Sequence, residues 1–278
     1  MNNSTNCSDN NICRLFDLPI NNVSMSKAIN WVISHRFNLS SNKFHTKASE
    51  KPNLGFFINA HSINLSFKYN DFYQTLKQAD CLFADGIGMR LAANHIDEPI
   101  QENVNGSDML PKLCEQAANE GKSIFFLGSS PGVAKKAAKR LHNTYPKLKV
   151  AGYQHGYFKE HDNKRIIAKI NQSKADILLV ALGSPLQEIW LTNNAAYLHC
   201  NTALAVGGLF DFYSGNIPRA PLWLRNVNLE WLFRLLQEPK NKFYRYVIGN
   251  PLFLFRTYLF RQAAKAISNP PSHVIKPQ

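Results

Sequence analysis

The sequence predicts an α/β protein: a mostly parallel sheet with helices on both faces, followed by a basic, aromatic-rich helical C-terminal appendage. Three observations predict it. Between Gly55 and Gly208, short runs of continuous apolar residues alternate with segments of helical spacing. Strands that are apolar on both faces and joined by helices make parallel sheets covered on both sides. Glycine-rich turns follow four of these strands, at Gly86 and Gly88, Gly128 and Gly132, Gly183, and Gly207 and Gly208. After Ile217, Pro218, Pro221, Pro239 and Pro251 cut the chain into short helical pieces.

Taken in order, residues 1–12 are polar and are expected to be disordered. Residues 15–23 read as a short strand or strand pair turning at Pro19. Residues 24–37 have helical spacing through Met25, Ala28, Ile29, Val32 and Ile33, with Ser24 as N-cap. Residues 38–53 are polar and read as a loop. A strand at 56–59 leads into a helix expected to continue to about Gln78, and a strand at 82–84 follows. Helix 107–120 carries Leu110, Leu113, Cys114 and Ala117 on one face. Strand 123–127 precedes a helix through Leu141. Strand 149–152, helix 162–171, strand 177–182, a helix to about Tyr197 and strand 202–206 complete the alternation. The expected organisation is a disordered N-terminus (1–12), an α/β catalytic domain (13–216), a helical membrane-associating appendage (217–268) and a tail (269–278).

The chain has 278 residues, 45% of them hydrophobic, and a formal net charge of +13, which implies an anionic partner. From Arg219 onward ten basic residues face two acidic ones, interleaved with aromatics such as Trp223, Trp231, Tyr244 and Phe255. That mixture suits a membrane interface rich in anionic headgroups. It would also suit stacking on single-stranded nucleic acid, or a helical subdomain packing its aromatics on the sheet. The five cysteines are scattered without zinc-site spacing, which reads as free thiols in a reducing cytosol. No signal-peptide pattern opens the chain, and no run of apolar residues is long enough to span a membrane.

Asp85 stands where an apolar strand ends and glycines turn the chain into a helix. In open parallel sheets that edge is where ligands bind, and a carboxylate held there suits a catalytic base; the other reading is a helix cap. Clustered at one edge, the four glycine turns offer backbone N–H groups to a phosphate. Gln187, in the first turn after Gly183-Ser184-Pro185, has an amide suited to sugar hydroxyls or a uracil edge. Glu188 beside it complements the helix dipole. His61 reads either as a site residue or as a partly buried histidine. Gly86-Ile87-Gly88 lacks the third glycine of a dinucleotide fingerprint, and no Walker loop, Asp-x-Asp or metal-spaced histidine pair occurs. Neither a metal nor a cofactor is expected.

Several stretches resemble the WecG/TagA/CpsF family of bacterial glycosyltransferases, glycosyltransferase family 26. They are Ala79-Asp80 with Ala84-Asp85-Gly86-Ile87-Gly88, Val104-Asn105-Gly106-Ser107-Asp108, Phe126-Leu127-Gly128 with Pro131-Gly132, Gly183-Ser184-Pro185-Leu186-Gln187-Glu188, and Val206-Gly207-Gly208-Leu209-Phe210-Asp211. Arg219-Ala220-Pro221, Leu229-Glu230-Trp231, Arg234-Leu235 and Glu238-Pro239 extend it, so the resemblance runs from about Leu15 to Tyr246. It implies a Rossmann-like fold and an inverting, metal-independent transfer of a sugar, typically of the N-acetylmannosamine type or its uronic acid. The implied donor is a UDP-sugar and the implied acceptor a polyprenyl-diphosphate-linked sugar, in cell-surface or exopolysaccharide assembly. Asp85 matches the family's proposed base, Gln187 its sugar-nucleotide glutamine, and Asn59 the asparagine that ends the preceding strand. Phe57 stands where the family often has Thr, and Asn103 where it has Arg. The expected donor-binding set is therefore Asn59, Gly86, Asn103, Gly128, Gly183, Gln187 and Gly207, with Arg219, Arg225 and Arg234 supplying the cation that faces the diphosphate. The implied location is cytoplasmic, peripheral on the inner face of the membrane through the appendage, with no nucleic-acid partner and with homo-oligomerisation left open. The rival reading is a non-catalytic basic α/β module that binds nucleotide, nucleic acid or anionic lipid.

Overall fold

Continuous apolar runs form the strands, and the periodic segments between them form the helices, in a computed structural model that describes residues 12–34 and 51–268. Residues 1–11 of the expected disordered N-terminus, most of the 38–53 loop, the end of the first helix, Cys7 and the 269–278 tail lie outside the described residues, whereas Ile12, counted with that N-terminus, opens a strand. The first elements are β1 (Ile12–Leu15) and β2 (Leu18–Asn21), an antiparallel hairpin. Its turn is Phe16-Asp17, both at positive φ (56° and 60°), and not Pro19, which sits in β2 opposite Arg14. A two-residue turn with both φ values positive matches the twist of the strands it joins, which a turn at Pro19 would not do. In α1 (Met25–Ser34) the Ser24 hydroxyl accepts from the Lys27 N–H at 3.4 Å, as an N-cap does.

After β3 (Asn53–Ile58), the single helix expected to Gln78 is two, α2 (Ala60–Lys68) and α3 (Asn70–Lys77). The break is Tyr69, whose backbone is extended (φ −126°, ψ 104°). The core requires it. Ile63 and Phe72 are both fully buried, yet nine positions at about 100° per residue would place them on opposite sides of one helix.

The remaining α/β elements are β4 (Cys81–Ala84), α4 (Ile87–His95), α5 (Gly106–Asn119), β5 (Ser123–Gly128), α6 (Val133–Thr144), β6 (Lys149–Gln154), α7 (Asn163–Gln172), β7 (Ile177–Ala181), α8 (Leu186–Asn194), β8 (Thr202–Ala205) and α9 (Leu209–Ser214). The sheet runs β1-β2-β4-β3-β8-β7-β5-β6 and is parallel except for the β1–β2 hairpin. Because β4, β7 and β5 are buried on both faces, the sheet carries two cores. One holds Ile63, Phe72, Met89 and Leu191 with the strand residues facing them; the other holds Trp31, Leu113, Ala137 and Phe210. Cys13, Cys81, Cys114 and Cys200 are buried free thiols, and burial pushes Cys114 and Cys200 up to about 12.

The appendage consists of α10 (Leu222–Asn226), α11 (Glu230–Gln237), α12 (Pro239–Phe243), a π-helical turn (Tyr244–Ile248) and α13 (Gly249–Ser268). It divides its aromatics between packing and exposure. Phe253 is fully buried with its ring 6.2 Å from that of Phe16, and Phe260 lies 5.1 Å from the same ring. Polar ties fix α13 further: Asn64 donates to Gly249 O at 2.7 Å, Arg256 to Asn64 at 2.6 Å and Arg261 to Asp97 at 2.7 Å. Trp223, Phe243, Tyr244, Phe255, Tyr258 and Leu259 remain exposed. Among the described residues, no helix is long and apolar enough to cross a membrane.

Candidate active site

The β4 strand delivers Asp85 to the C-terminal edge of the sheet, and the Asp85 N–H bonds to Ile58 O at 2.8 Å, so β3 and β4 end together. Gly86 then takes φ 95°, a left-handed backbone that favours glycine, and starts α4. Asn103 fixes this turn by accepting from the Gly86 N–H at 2.7 Å, while the Val104 N–H bonds to Ala84 O at 3.0 Å. The helix-cap reading of Asp85 fails: α4 has no side-chain cap bond. Among the described residues the Asp85 carboxylate accepts instead from Asn59 Nδ2, at 3.3 Å. Asn59 holds β3 and α2 in place with its other end, where Oδ1 accepts from the His61 and Ser62 N–H groups at 3.1 and 3.2 Å.

Above this edge lies a cavity of about 350 Å³. Its floor is Asn59, His61, Asp85, Gly86 and Asn103, its side the Asn105–Asp108 segment, and its roof comes from the appendage: Arg225, Glu230, Trp231, Arg234, Arg245 and Tyr246. Burial raises the pKa of Asp85; the Asn59 hydrogen bond and the charges of Arg234 and Arg245 offset this only in part, and Glu230 adds to the rise. His61 is pushed down to about 4 by burial and by Arg245 and Lys242, so it is neutral at physiological pH. Asp108 is the acidic hub. Burial pushes its carboxyl up, but bonds from Asn105 and Arg219 and the charges of Arg219 and Arg225 hold it below the usual range. Arg219 reaches Asp108 at 2.5 Å and Arg225 reaches it at 3.4 Å, while Glu230 lies 3.6 Å from both Arg219 and Arg234. Arg234 also stacks 4.4 Å over the Phe212 ring.

Of the residues singled out from sequence, Asn59, Asp85, Gly86, Asn103, Arg225 and Arg234 line this cavity together. Arg219 stands one layer behind, on Asp108 and on Ser107 O. Gly128, Gly183 and Gly207 share the same sheet edge but do not wall the cavity. Gly128 answers a packing demand, since a Cβ there would meet the Ala181 backbone at 2.3 Å. Gln187 does not point into the crevice beside Asp85. Its buried amide accepts from the Gly207 N–H at 2.9 Å and donates to Glu188 at 2.9 Å, which ties the β7 and β8 turns together. Phe57 is buried against Phe83, under the Gly106 end of α5. Arg245, Trp231 and Tyr246 were missed as site residues; their sequence signal is the basic and aromatic bias of the tail, with Trp231 also in the Leu229-Glu230-Trp231 stretch, and α11 brings Trp231 to the cavity while the π turn brings Arg245 and Tyr246. No cluster of three or more His, Cys, Asp or Glu able to hold a metal occurs among the described residues.

The profile of the Glycosyl transferase WecG/TagA/CpsF family matches residues 13–268. The chain is similar to the N-acetylglucosaminyldiphosphoundecaprenol N-acetyl-beta-D-mannosaminyltransferase of Bacillus spizizenii, 34% identical over 190 residues, which cover 67% of this chain and 73% of that protein. It is likewise similar to the protein of the same name from Bacillus subtilis, 31% identical over 182 residues, 66% of this chain and 70% of that one. The family match spans the strand edge that carries Asp85, and with the relatives it sets aside the non-catalytic reading: the chain belongs to the WecG/TagA/CpsF family and is a glycosyltransferase.

Proposed function

We propose that this enzyme transfers a sugar of the N-acetylmannosamine type from a UDP-sugar to a polyprenyl-diphosphate-linked sugar, with inversion, in cell-envelope or exopolysaccharide assembly. The relatives' names support the acceptor class and the sugar type. The observation that carries the mechanism is the pairing of Asp85, raised by burial, with three arginines on the opposite wall of one cavity. Asp85 takes the proton from the acceptor hydroxyl as that oxygen attacks the anomeric carbon from the face opposite UDP. General-base assistance of this kind contributes ~10²–10⁴-fold.

Arg225, Arg234 and Arg245 receive the departing diphosphate, together with the N–H groups of Ile87 and Gly88 at the start of α4. Asn103 brings no charge: its Oδ1 accepts from the Gly86 N–H, which leaves its Nδ2 as a neutral donor at the same cavity. Gln187 serves the donor site from behind, by fixing the Gly207 turn. The exposed aromatics of the π turn and α13, beside Lys240 and Lys242, meet the inner face of the membrane where the acceptor lies.

The test is a panel of UDP-sugars offered with a short-chain polyprenyl-diphosphate-sugar acceptor, with and without EDTA, read by mass spectrometry. UDP-N-acetylmannosamine is expected to give product in both. Product only from nucleotide sugars other than UDP-linked ones would refute the donor, and loss of product with EDTA would refute the metal-free mechanism.

A further inference from the structure

His61 occupies the second position of α2 and lines the cavity, yet its ring nitrogens have no hydrogen-bond partner among the described residues. Its backbone is tied to Asn59, which also holds Asp85, so His61 is fixed relative to the reacting edge. Across from it stands Arg245, which lines the same cavity and has no carboxylate partner among the described residues. The acids of the site are committed elsewhere: Asp108 to Arg219 and Arg225, Glu230 to Arg219 and Arg234. An imidazole and a guanidinium whose one ring contact is with Tyr246, neither in a side-chain hydrogen bond or ion pair among the described residues, thus line one cavity at a helix N-terminus.

We propose that His61 and Arg245 together contact the diphosphate of the donor, and that His61 takes a proton from solvent as that diphosphate binds. The inference rests on the UDP-sugar reading above and adds a residue to it. The physical basis is exchange of one field for another. Without a diphosphate, burial is the largest cause that keeps a proton off the ring, and the charges of Arg245 and Lys242 add to it, holding the group at about 4. From the neighbouring elements, Arg256 on α13 is a further cation, bonded to Asn64, and the Asp85 carboxylate on the β4 edge is bonded to Asn59. A bound diphosphate neutralises Arg245 and adds its own negative charge, and the ring then favours the imidazolium, a hydrogen-bond donor to a phosphate oxygen. Loss of UDP after transfer returns the proton to solvent.

The experiment is calorimetric titration of the full chain with UDP at pH 7, in two buffers of different ionisation enthalpy, for wild type and for His61→Gln. Glutamine keeps the length and a donor but cannot take a proton. Wild type is expected to take up about half a proton more per UDP than the variant, and to bind about fivefold more tightly. Protons released by UDP itself are common to both proteins and cancel in the difference. Should the variant fold poorly, the ring signals of wild-type histidines give the same answer: one should titrate near pH 4 alone and about three pH units higher (about pH 7) with UDP. Equal proton uptake by both proteins, or a histidine that does not shift, overturns the role of His61 while leaving UDP binding and the donor reading intact. If UDP binds neither protein, the donor reading itself falls, and this inference with it.

Discussion

Phe253→Ala removes the ring that seats α13. The side chain is fully buried, and truncation of a buried phenylalanine costs about 3–5 kcal/mol. The polar ties of α13, Asn64 to Gly249, Arg256 to Asn64 and Arg261 to Asp97, each contribute about 1 kcal/mol net. The ring is thus the largest single anchor, and without it α13 should open at least about a hundredfold more often. Because Phe253, Leu254 and Asn250 line the cavity, that opening also dismantles its roof. Hydrogen exchange followed by mass spectrometry reads it directly: faster exchange across α13 and the π turn, unchanged exchange in β5, β7 and β8, and weaker UDP binding. Unaltered exchange in α13 with wild-type UDP affinity would show that the appendage is not held as described.

Other expectations concern single groups. The base works as a carboxylate, so transfer should fall as pH drops through the pKa of Asp85. Burial lifts that pKa above the ordinary 3.8, so the acid limb of kcat/KM should lie above 3.8; a limb at or below it contradicts the desolvated site. Gln187→Leu strands the Gly207 N–H and should cost about 1–3 kcal/mol, seen as a lowered Tm, whereas an unchanged Tm would show that the bridge between the turns is not needed. Replacing Tyr244 and Phe255, both exposed, with serine should lower partitioning onto anionic vesicles about tenfold, and equal partitioning would place the membrane face elsewhere.

Most of the fold was legible because the signals were local. Both-face apolar strands such as 177–181, alternating with helices, read as central strands of a parallel sheet, and the carboxylate at the end of β4 falls at the ligand edge of such a sheet. Tertiary demands were not legible. Nothing near Tyr69 announces a break; it follows from Ile63 and Phe72 needing the same core. The hairpin turn was assigned to Pro19 because proline is the stronger local punctuator, yet Phe16-Asp17 satisfies the strand twist. At the site, Gln187 has the chemistry of a ligand contact, but its amide is consumed by a backbone N–H twenty residues on. Arg245 was one cation among ten in the tail, and only the π turn selects it.

Asp85→Asn tests the central claim most directly, because it removes the base and little else. A carboxyl whose pKa is raised on folding favours its protonated form, so its charge costs stability as pH rises through that pKa, and the neutral amide should fold at least as well at pH 7. The variant is expected to bind UDP within a few-fold of wild type and to lose transfer by at least about a hundredfold. Transfer retained within a few-fold of wild type, with UDP binding unchanged, would contradict the assignment of Asp85 as the base.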